Sequence, residues 1–438
     1  MQKKIETFSD LSLDPHIQKA VKESGYTQPT PIQIQTIPLL LDGHDLLGCA
    51  QTGTGKTAAF ALPILHRLTA ENRKTVPKQP RSLVLVPTRE LAVQVHDSFK
   101  TYGKYLSIKT AVIFGGVGQS PQVKALATGV DVLVATPGRL VDLIDQRYIS
   151  LTNLEVFVLD EADRMLDMGF IHAIRKIITL LPKRRHNLFF SATMPSDIEK
   201  LASTMLVNPV RVEVTPASST VELIKQSVMY VDRDNKKELL LKLFKDKALK
   251  KVIVFTKTKH GANKVAELLS KSGISVDVIH GNKSQSARQR ALEDFRSGKN
   301  RALIATDLAA RGIDIDDITH VINYEIPYVP ETYVHRIGRT ARAGAQGIAI
   351  SICEADERSL IKDIEKVIGV KIPVDKDHGF HSQKVEDHTG KAPKEHGSGG
   401  GGGQFKQRRP GGGGAPSSRN SSPSYKKRPP SKKQGRNR

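Results

Sequence analysis

Cysteine is nearly absent from this chain. Cys49 and Cys353 are the only two in 438 residues, too few for a disulfide framework or a cysteine-rich zinc site. The expected setting is therefore reducing and intracellular. Long apolar runs are missing as well. No stretch of about 18 apolar residues occurs, and the first eight residues, Met1 to Phe8, hold no apolar signal core. The expectation is a cytoplasmic chain that neither enters a membrane nor is secreted. Acid is scarce relative to base, with 45 Asp plus Glu against 67 Lys plus Arg and a net charge of +22. A polyanion is the natural partner for such a balance. From His396 to Arg438 acid is lacking altogether, and 11 basic residues, 11 Gly and 5 Pro stand there with hardly any branched apolar side chain. That stretch cannot bury enough apolar surface to offset its ordering entropy and is expected to be disordered.

What is present before that stretch is an alternation of short β-branched runs and helical patterns. Strands are expected at Leu83–Val86, Val130–Ala135, Val156–Leu159 and Asn187–Phe190. They resume at Lys251–Phe255, Val276–Ile279, Ala302–Ala305, His320–Asn323 and Gly347–Ile352. Near-continuous apolar strands separated by helix-length segments indicate parallel sheets covered on both faces. The break at Asn208-Pro-Val through Thr215-Pro-Ala-Ser-Ser-Thr220 reads as a linker. The expected organisation is an α/β domain over 1–208, a linker over 209–220, a second α/β domain over 221–374 and a disordered basic tail over 375–438.

Three segments carry chemistry. The first is Ala50-Gln-Thr52-Gly53-Thr54-Gly55-Lys56-Thr57, placed between a short apolar run and a helix-like AAFALPILHRL. A strand, a glycine loop and a helix N-terminus together form a phosphate cradle. Gly53 and Gly55 let the backbone approach, Lys56 reaches the β/γ-phosphates, and the Thr57 hydroxyl ligates Mg²⁺. The second is Val156-Phe-Val-Leu-Asp160-Glu161-Ala162-Asp163. On its own an acid pair after a strand is an ordinary solvated loop. Following a phosphate loop in the same domain, it places Asp160 to hold Mg²⁺ and Glu161 to polarise the attacking water. The third is Thr332-Tyr-Val-His335-Arg336-Ile-Gly-Arg339-Thr-Ala-Arg342-Ala-Gly344. Taken as a helix ending at Gly344, it aligns His335, Arg339 and Arg342 on one stripe. A solvated basic face is the plain reading of that stripe. The sharper one is a set of arginine fingers acting on the γ-phosphoryl group held by the other domain.

These motifs, in this order, resemble the DEAD-box RNA helicases, with Asp160-Glu-Ala-Asp163 as the name-giving motif. The likeness runs from about Phe8 to Val374, and its wording is similar to the RhlE-like bacterial branch. The resemblance implies two tandem RecA-like domains, ATP and Mg²⁺ as ligands, and RNA, as single strand or short duplex, as substrate. By the same likeness Gln33 of Gly25-Tyr-Thr-Gln-Pro-Thr-Pro-Ile-Gln33 reads the adenine edge and Phe8 packs on the base, while Gly312 and Asp314 lie near the ribose. Thr88, Arg89, Gly116, Thr136, Gly138, Arg139, Arg288 and Thr306 match RNA-contacting positions. Ser191 and Thr193 match a motif that bonds towards Asp163 and couples hydrolysis to strand separation, with His335 in the coupling network. A monomer serving ribosomal or RNA-decay complexes is the expected context. Hydroxyls and backbone N–H groups at such positions suit phosphate and 2′-OH contacts, which carry no sequence information. The same motifs also allow an ATP-gated RNA clamp with little unwinding. The Gln33 motif and the second domain's arginine clusters argue against a DNA translocase or transporter motor.

Overall fold

The computed structural model describes residues 5–51, 53–71, 73–214, 224–310, 315, 317–340 and 347–390. The expected disordered tail from His396 onward lies outside the described residues. The first lobe is a seven-stranded sheet built from β1 (Leu46–Ala50), β2 (Ser82–Leu85), β3 (Thr110–Ile113), β4 (Val132–Ala135), β5 (Val156–Leu159), β6 (His186–Ser191) and β7 (Val210–Val214). Its strands run in the order β3-β4-β2-β5-β6-β1-β7, and every pairing is parallel. The second lobe holds β8 (Ile224–Tyr230), β9 (Val252–Thr256), β10 (Val276–Ile279), β11 (Ala302–Thr306), β12 (His320–Asn323) and β13 (Gly347–Cys353). They form a six-stranded parallel sheet in the order β10-β11-β9-β12-β13-β8.

The central strands are buried along their whole length, because helices cover both faces. In the first lobe alternate residues feed two cores. Val84, Val134 and Val158 meet Phe60, Phe99 and Leu65 on one face. Leu83, Leu133 and Phe157 meet Leu140, Ile174 and Ile198 on the other. This architecture places the C-terminal ends of all strands of a sheet along one edge, where open α/β folds bind ligands.

Two boundaries differ from the sequence expectation. Val210-Arg-Val-Glu-Val214, assigned to the linker, is edge strand β7 paired with β1. Its alternating burial is that of a strand with one wet face, a pattern that a search for continuous apolar runs passes over. Strand β3 alternates likewise, and in β8 the polar Lys225-Gln226-Ser227 interrupts the apolar run. The second lobe also does not end at 374. Residues 375–390 continue along β8: Val228 N donates to Pro373 O (2.9 Å), Asp375 N to Val228 O (2.9 Å) and Ser382 N to Tyr230 O (3.0 Å). Val385 in the short helix Gln383–Glu386 is buried. The segment covers the sheet's open edge, which otherwise exposes unpaired backbone groups.

Buried ion pairs pin each lobe. Glu357 accepts from Lys236 Nζ (2.9 Å), Lys257 Nζ (2.7 Å) and Ile326 N (2.9 Å). Burial alone would raise its pKa, but the two ammonium groups hold it below the usual carboxylate value. In the first lobe Arg81, preceding β2, bonds Glu155 (2.8 Å) and Glu71 (2.9 Å).

Candidate functional site

The loop after β1 folds as a cradle. Gly53 and Gly55 have φ of 84° and 92°, a region costly for residues with a Cβ, and the helix Lys56–Ala70 starts immediately after Gly55. A Cβ on Gly55 would also lie 2.5 Å from Gln33 Nε2. Lys56 is buried, and its Nζ donates to Ala50 O (2.6 Å) and Gln51 O (2.9 Å). An ammonium carries three donors, so one remains to face a phosphate. Thr54 Oγ1 closes the loop on Gln51 O (2.8 Å). Thr57 occupies the second helical position, half-buried. Thr52 lies outside the described residues.

Gln33 is tied to this loop. Its Oε1 accepts from Thr30 N (2.9 Å) and its Nε2 donates to Gly55 O (3.0 Å). Those two partners fix the amide orientation, because flipping it would set donor against donor. One N–H and one acceptor site stay free, the pair that an adenine edge offers in reverse. Phe8 is buried in the first lobe's core, 6.3 Å from the Tyr26 ring. The structure therefore shows it as core packing that supports the segment before Gln33.

The acids sit at the C-terminal end of β5. Asp160 and Glu161 are both buried, and Glu161 has φ 55°, an uncommon backbone state for a residue with a side chain that occurs at functional sites. Burial pushes the Asp160 carboxyl up to about 7; Lys56 opposes the rise and Glu161 adds to it. Glu161 is held the other way. Burial alone would raise it, but the Arg164 guanidinium, bonded to it at 2.5 Å, keeps it below the ordinary value. Asp163 Oδ2 accepts from Thr193 N (2.9 Å), Thr193 Oγ1 (3.0 Å) and Ala192 N (3.2 Å), and Asp163 N donates to Ser191 Oγ (3.2 Å). The end of β6 is thereby bound to the acidic turn.

The second lobe reaches this point through the helix Pro330–Ile337. Its C-cap is Gly338, so the helix stops before Arg339, which follows in a tight turn closed by Arg339 N to Arg336 O (3.1 Å). Arg339 therefore lies outside the helix that carries His335, contrary to the expected single helical stripe. His335 and Arg339 nevertheless line one narrow crevice with Arg164 of the first lobe. Arg339 is buried, and its pKa falls to about 10, chiefly through burial and then through repulsion from Arg164, with Glu161 opposing. Arg342, Gly312 and Asp314 lie outside the described residues. Arg164 carries no assignment from the sequence; its signal was the three-residue spacing from Glu161 on one short helix.

The proposed RNA-facing residues cluster at strand C-terminal ends. Thr88 caps the helix Arg89–Tyr102 by accepting from Leu91 N (3.3 Å). Thr136 precedes the helix Pro137–Asp145, Gly138 has open space where a Cβ would stand, and Thr306 ends β11. Gly116, at φ 76°, is overlain by the Arg89 guanidinium so closely that a Cβ would collide with it. Arg139 donates to Val117 O (3.1 Å) and pairs with Asp142 (3.4 Å), while its Nη1 is buried without a partner.

Arg288 stands apart from this group. Its Nη2 pairs with Glu90 Oε1 of the first lobe at 3.1 Å. Gln285 Nε2 also donates to Glu90 (3.2 Å), and Arg89 Nη1 donates to Gln285 Oε1 (3.4 Å). The guanidinium thus serves as an interlobe tie at the position matched to an RNA contact. A double-mutant cycle of Arg288→Ala and Glu90→Ala, read as nucleotide affinity in the presence of RNA, is expected to give a coupling energy of about 1–3 kcal/mol. Additive effects would remove the tie.

Among the described residues no helix is long and apolar enough to cross a membrane. Two tandem parallel-sheet lobes, a phosphate loop after the first strand and a basic element of the second lobe turned onto it define a RecA-like nucleotide-dependent helicase core. Comparison with known proteins narrows the class. The DEAD/DEAH box helicase model matches residues 30–201, and the helicase conserved C-terminal domain model matches 235–344. The DEAD-box ATP-dependent RNA helicase CshA of Bacillus subtilis is 41% identical over 360 residues, covering 82% of this chain and 72% of its own. The ATP-dependent RNA helicase DeaD of Buchnera aphidicola is 44% identical over 368 residues, covering 84% of this chain. The chain spans 60% of the length of that DeaD relative. Among solved structures, Saccharomyces cerevisiae Dbp5 bound to RNA and ADP BeF3 superposes with a TM-score of 0.74 at 31% identity, over 84% of this chain and 95% of that one. A DEAD box protein from Methanococcus jannaschii, 39% identical over 85% of this chain and 100% of its own, gives 0.52. The chain belongs to the DEAD-box helicase family.

Proposed function

We propose that this protein is an RNA-stimulated ATPase that binds RNA through its backbone and separates short duplexes as its two lobes close. The carrying observation is that Arg339 of the second lobe is buried and lines one crevice with Arg164 of the first, which is itself bonded to Glu161. Such an arrangement makes the hydrolytic site complete only when the lobes meet, so RNA and nucleotide favour the same closed state and each promotes the other. The closer agreement with RNA-bound Dbp5 than with the more identical Methanococcus protein supports a closed reading of these lobes.

In this reading lobe 1 comprises 5–214 and lobe 2 comprises 224–390. The free donor of Lys56 and the N–H groups around Gly53 and Gly55 bind the β/γ-phosphates, and Gln33 selects adenine. The residues fit a magnesium ion: the Thr57 hydroxyl and the buried, cation-seeking Asp160 are the donors that would hold it. Mg²⁺ usually keeps only one or two protein ligands beside waters and phosphates, and when bound it neutralises phosphate charge. Glu161, kept ionised by Arg164, takes the proton of the attacking water, and Arg339 stabilises charge on the γ-phosphoryl group. Arg342 as second finger and Gly312 with Asp314 at the ribose complete the reading by family resemblance. Asp163, Ser191 and Thr193 connect the acidic turn to the lobe's RNA-facing edge. Thr88, Gly116, Thr136, Gly138 and Thr306 grip phosphate and 2′-OH groups without reading bases.

The test is steady-state ATPase with and without single-stranded RNA, beside DNA of the same sequence. Stimulation by RNA alone is expected; equal stimulation by DNA, or none, overturns the RNA reading, and RNA-stimulated turnover without duplex separation favours the clamp. Lys56→Ala is expected to weaken ATP binding by about 10-fold or more, since a charge-assisted phosphate contact is worth about 1.5–3 kcal/mol. Unchanged nucleotide affinity in a binding titration would remove Lys56 from the cradle.

A further inference from the structure

The proposed ATP and RNA contacts lie at the C-terminal ends of the strands, yet the opposite edge of lobe 1 is also strongly basic. Arg81, Glu155 and Arg184 stand one or two residues before β2, β5 and β6, at the strands' N-terminal ends. There Arg73, Lys74, Arg184, Gln79 and Asn153 line a cavity of about 330 Å³, together with Val76, Leu154 and Pro182. Arg81 and Arg73 are consumed locally: Arg81 is 95% buried and bonded to Glu71 and Glu155, and Arg73 pairs with the same two acids at 3.4 Å. This core neutralises the acids of the neighbourhood. Around it stand Lys74, Lys78, Arg147, Lys183 and Arg184, all exposed, with no acidic partner among the described residues.

The framework under these cations is fixed. Lys78 N donates to Leu126 O (2.9 Å), Ser150 N to Lys78 O (2.9 Å) and Glu155 N to Arg81 O (2.7 Å). Thr152 Oγ1 bonds Gln79 Oε1 (3.3 Å). Like charges held together on rigid backbone are unfavourable by themselves and favour a polyanion. Beyond the cavity, Lys183 adjoins Arg184 in the chain and Lys78 Nζ donates to Arg147 O (3.5 Å), a spread of cations that suits successive phosphates rather than a single anion. No aromatic side chain lines the cavity, so bases find no stacking platform within it; the Tyr148 ring, 5.8 Å from Lys78 Nζ, is not part of that lining.

We propose that the rear edge of lobe 1 is a second RNA-backbone contact surface, formed by Lys74, Lys183 and Arg184 around this cavity with Lys78 and Arg147 extending it. It engages RNA flanking the segment gripped at the front edge, and it binds without sequence preference. The inference rests on the RNA reading above.

The test uses the full chain carrying Lys74→Glu, Lys183→Glu and Arg184→Glu together. A control reverses three scattered exposed lysines, Lys100, Lys264 and Lys362, for the same change in net charge. Binding of poly-U is measured for a short oligonucleotide of roughly 10 nucleotides and for one several times longer, across a salt series. The expected result is a loss on the order of tenfold for the long RNA only. Its log–log salt slope should flatten by about 2, from three lost phosphate contacts at about 0.7 each. ATPase stimulation by the short RNA should stay at the wild-type level, and the control should lose much less. Long-RNA affinity and slope matching the control would overturn the proposal, as would equal weakening of short and long RNA. Failure of the helicase reading shows elsewhere, as wild-type ATPase indifferent to the short RNA.

Discussion

Glu161→Gln is expected to lower the RNA-stimulated ATPase rate by about 10²–10⁴-fold, the range for loss of a positioned general base, while ATP and RNA still bind. Two adjacent acids at the end of β5 are driven to different states. Asp160 is pushed up by burial and by its neighbour, while Arg164 holds Glu161 down. Environments that separate paired carboxyls assign them separate roles: the depressed one is ionised and able to accept a proton, and the raised one is the acid that gains from a cation. Glutamine keeps the size of Glu161 and an oxygen for Arg164 Nη1, so the turn at φ 55° has no reason to rearrange. It cannot take the proton from water. Steady-state turnover with saturating single-stranded RNA, beside a fluorescent-nucleotide titration, separates the two effects. A variant with undiminished turnover would remove Glu161 as base. One that no longer binds ATP would show its carboxylate to be part of the cradle.

Arg336→Ala is expected to destabilise lobe 2 by about 3–5 kcal/mol, the usual cost of removing one partner of a buried ion pair and a large share of a domain's typical 5–15 kcal/mol. Arg336 is 1% exposed. Its guanidinium grips Asp307 with two bonds, Nε to Oδ1 (2.6 Å) and Nη2 to Oδ2 (2.8 Å). Nη1 donates to Glu325 O (2.6 Å) and Asn323 Oδ1 (3.2 Å), and the group lies 5.0 Å from the Phe255 ring. These contacts fasten the helix carrying His335 to β9, β12 and the turn after Thr306. Arg336→Lys keeps the charge but loses the planar fork, so an intermediate loss is expected. The chain has no tryptophan, so urea unfolding is followed by far-ultraviolet circular dichroism. An unchanged midpoint in Arg336→Ala would show that the network contributes nothing net.

Arg336 and Arg339 illustrate the limit of reading a stripe from sequence. The three-residue and four-residue spacings of His335, Arg339 and Arg342 suggest one helical face, but Gly338 ends the helix, and the local pattern does not reveal this because Ile337 and Thr340 continue an acceptable helical periodicity. Arg336 looks like one more solvated cation among several. Its burial depends on Asp307, Asn323 and Glu325, which come from two other segments. The ion pair of Arg288 escapes the sequence for the same reason: its partner Glu90 lies in the other lobe, far away in the chain.

The sequence by itself determined the parallel-sheet class, most of the central strands, the phosphate cradle and the acidic turn. Each of these is written in short-range chemistry: β-branched runs fully buried on both faces, glycines where the backbone needs positive φ, and acids directly following a strand. Tertiary structure alone decided the rest. It made an edge strand of Val210–Val214 by pairing it with β1, and it laid residues 375–390 along β8 instead of leaving them in solution. It also set Arg339 beside Arg164 of the other lobe and left Arg164 to hold Glu161. These outcomes depend on groups brought together across long stretches of chain, and the free energy that selects them comes from burial, charge pairing and edge pairing that exist only once both sheets have formed.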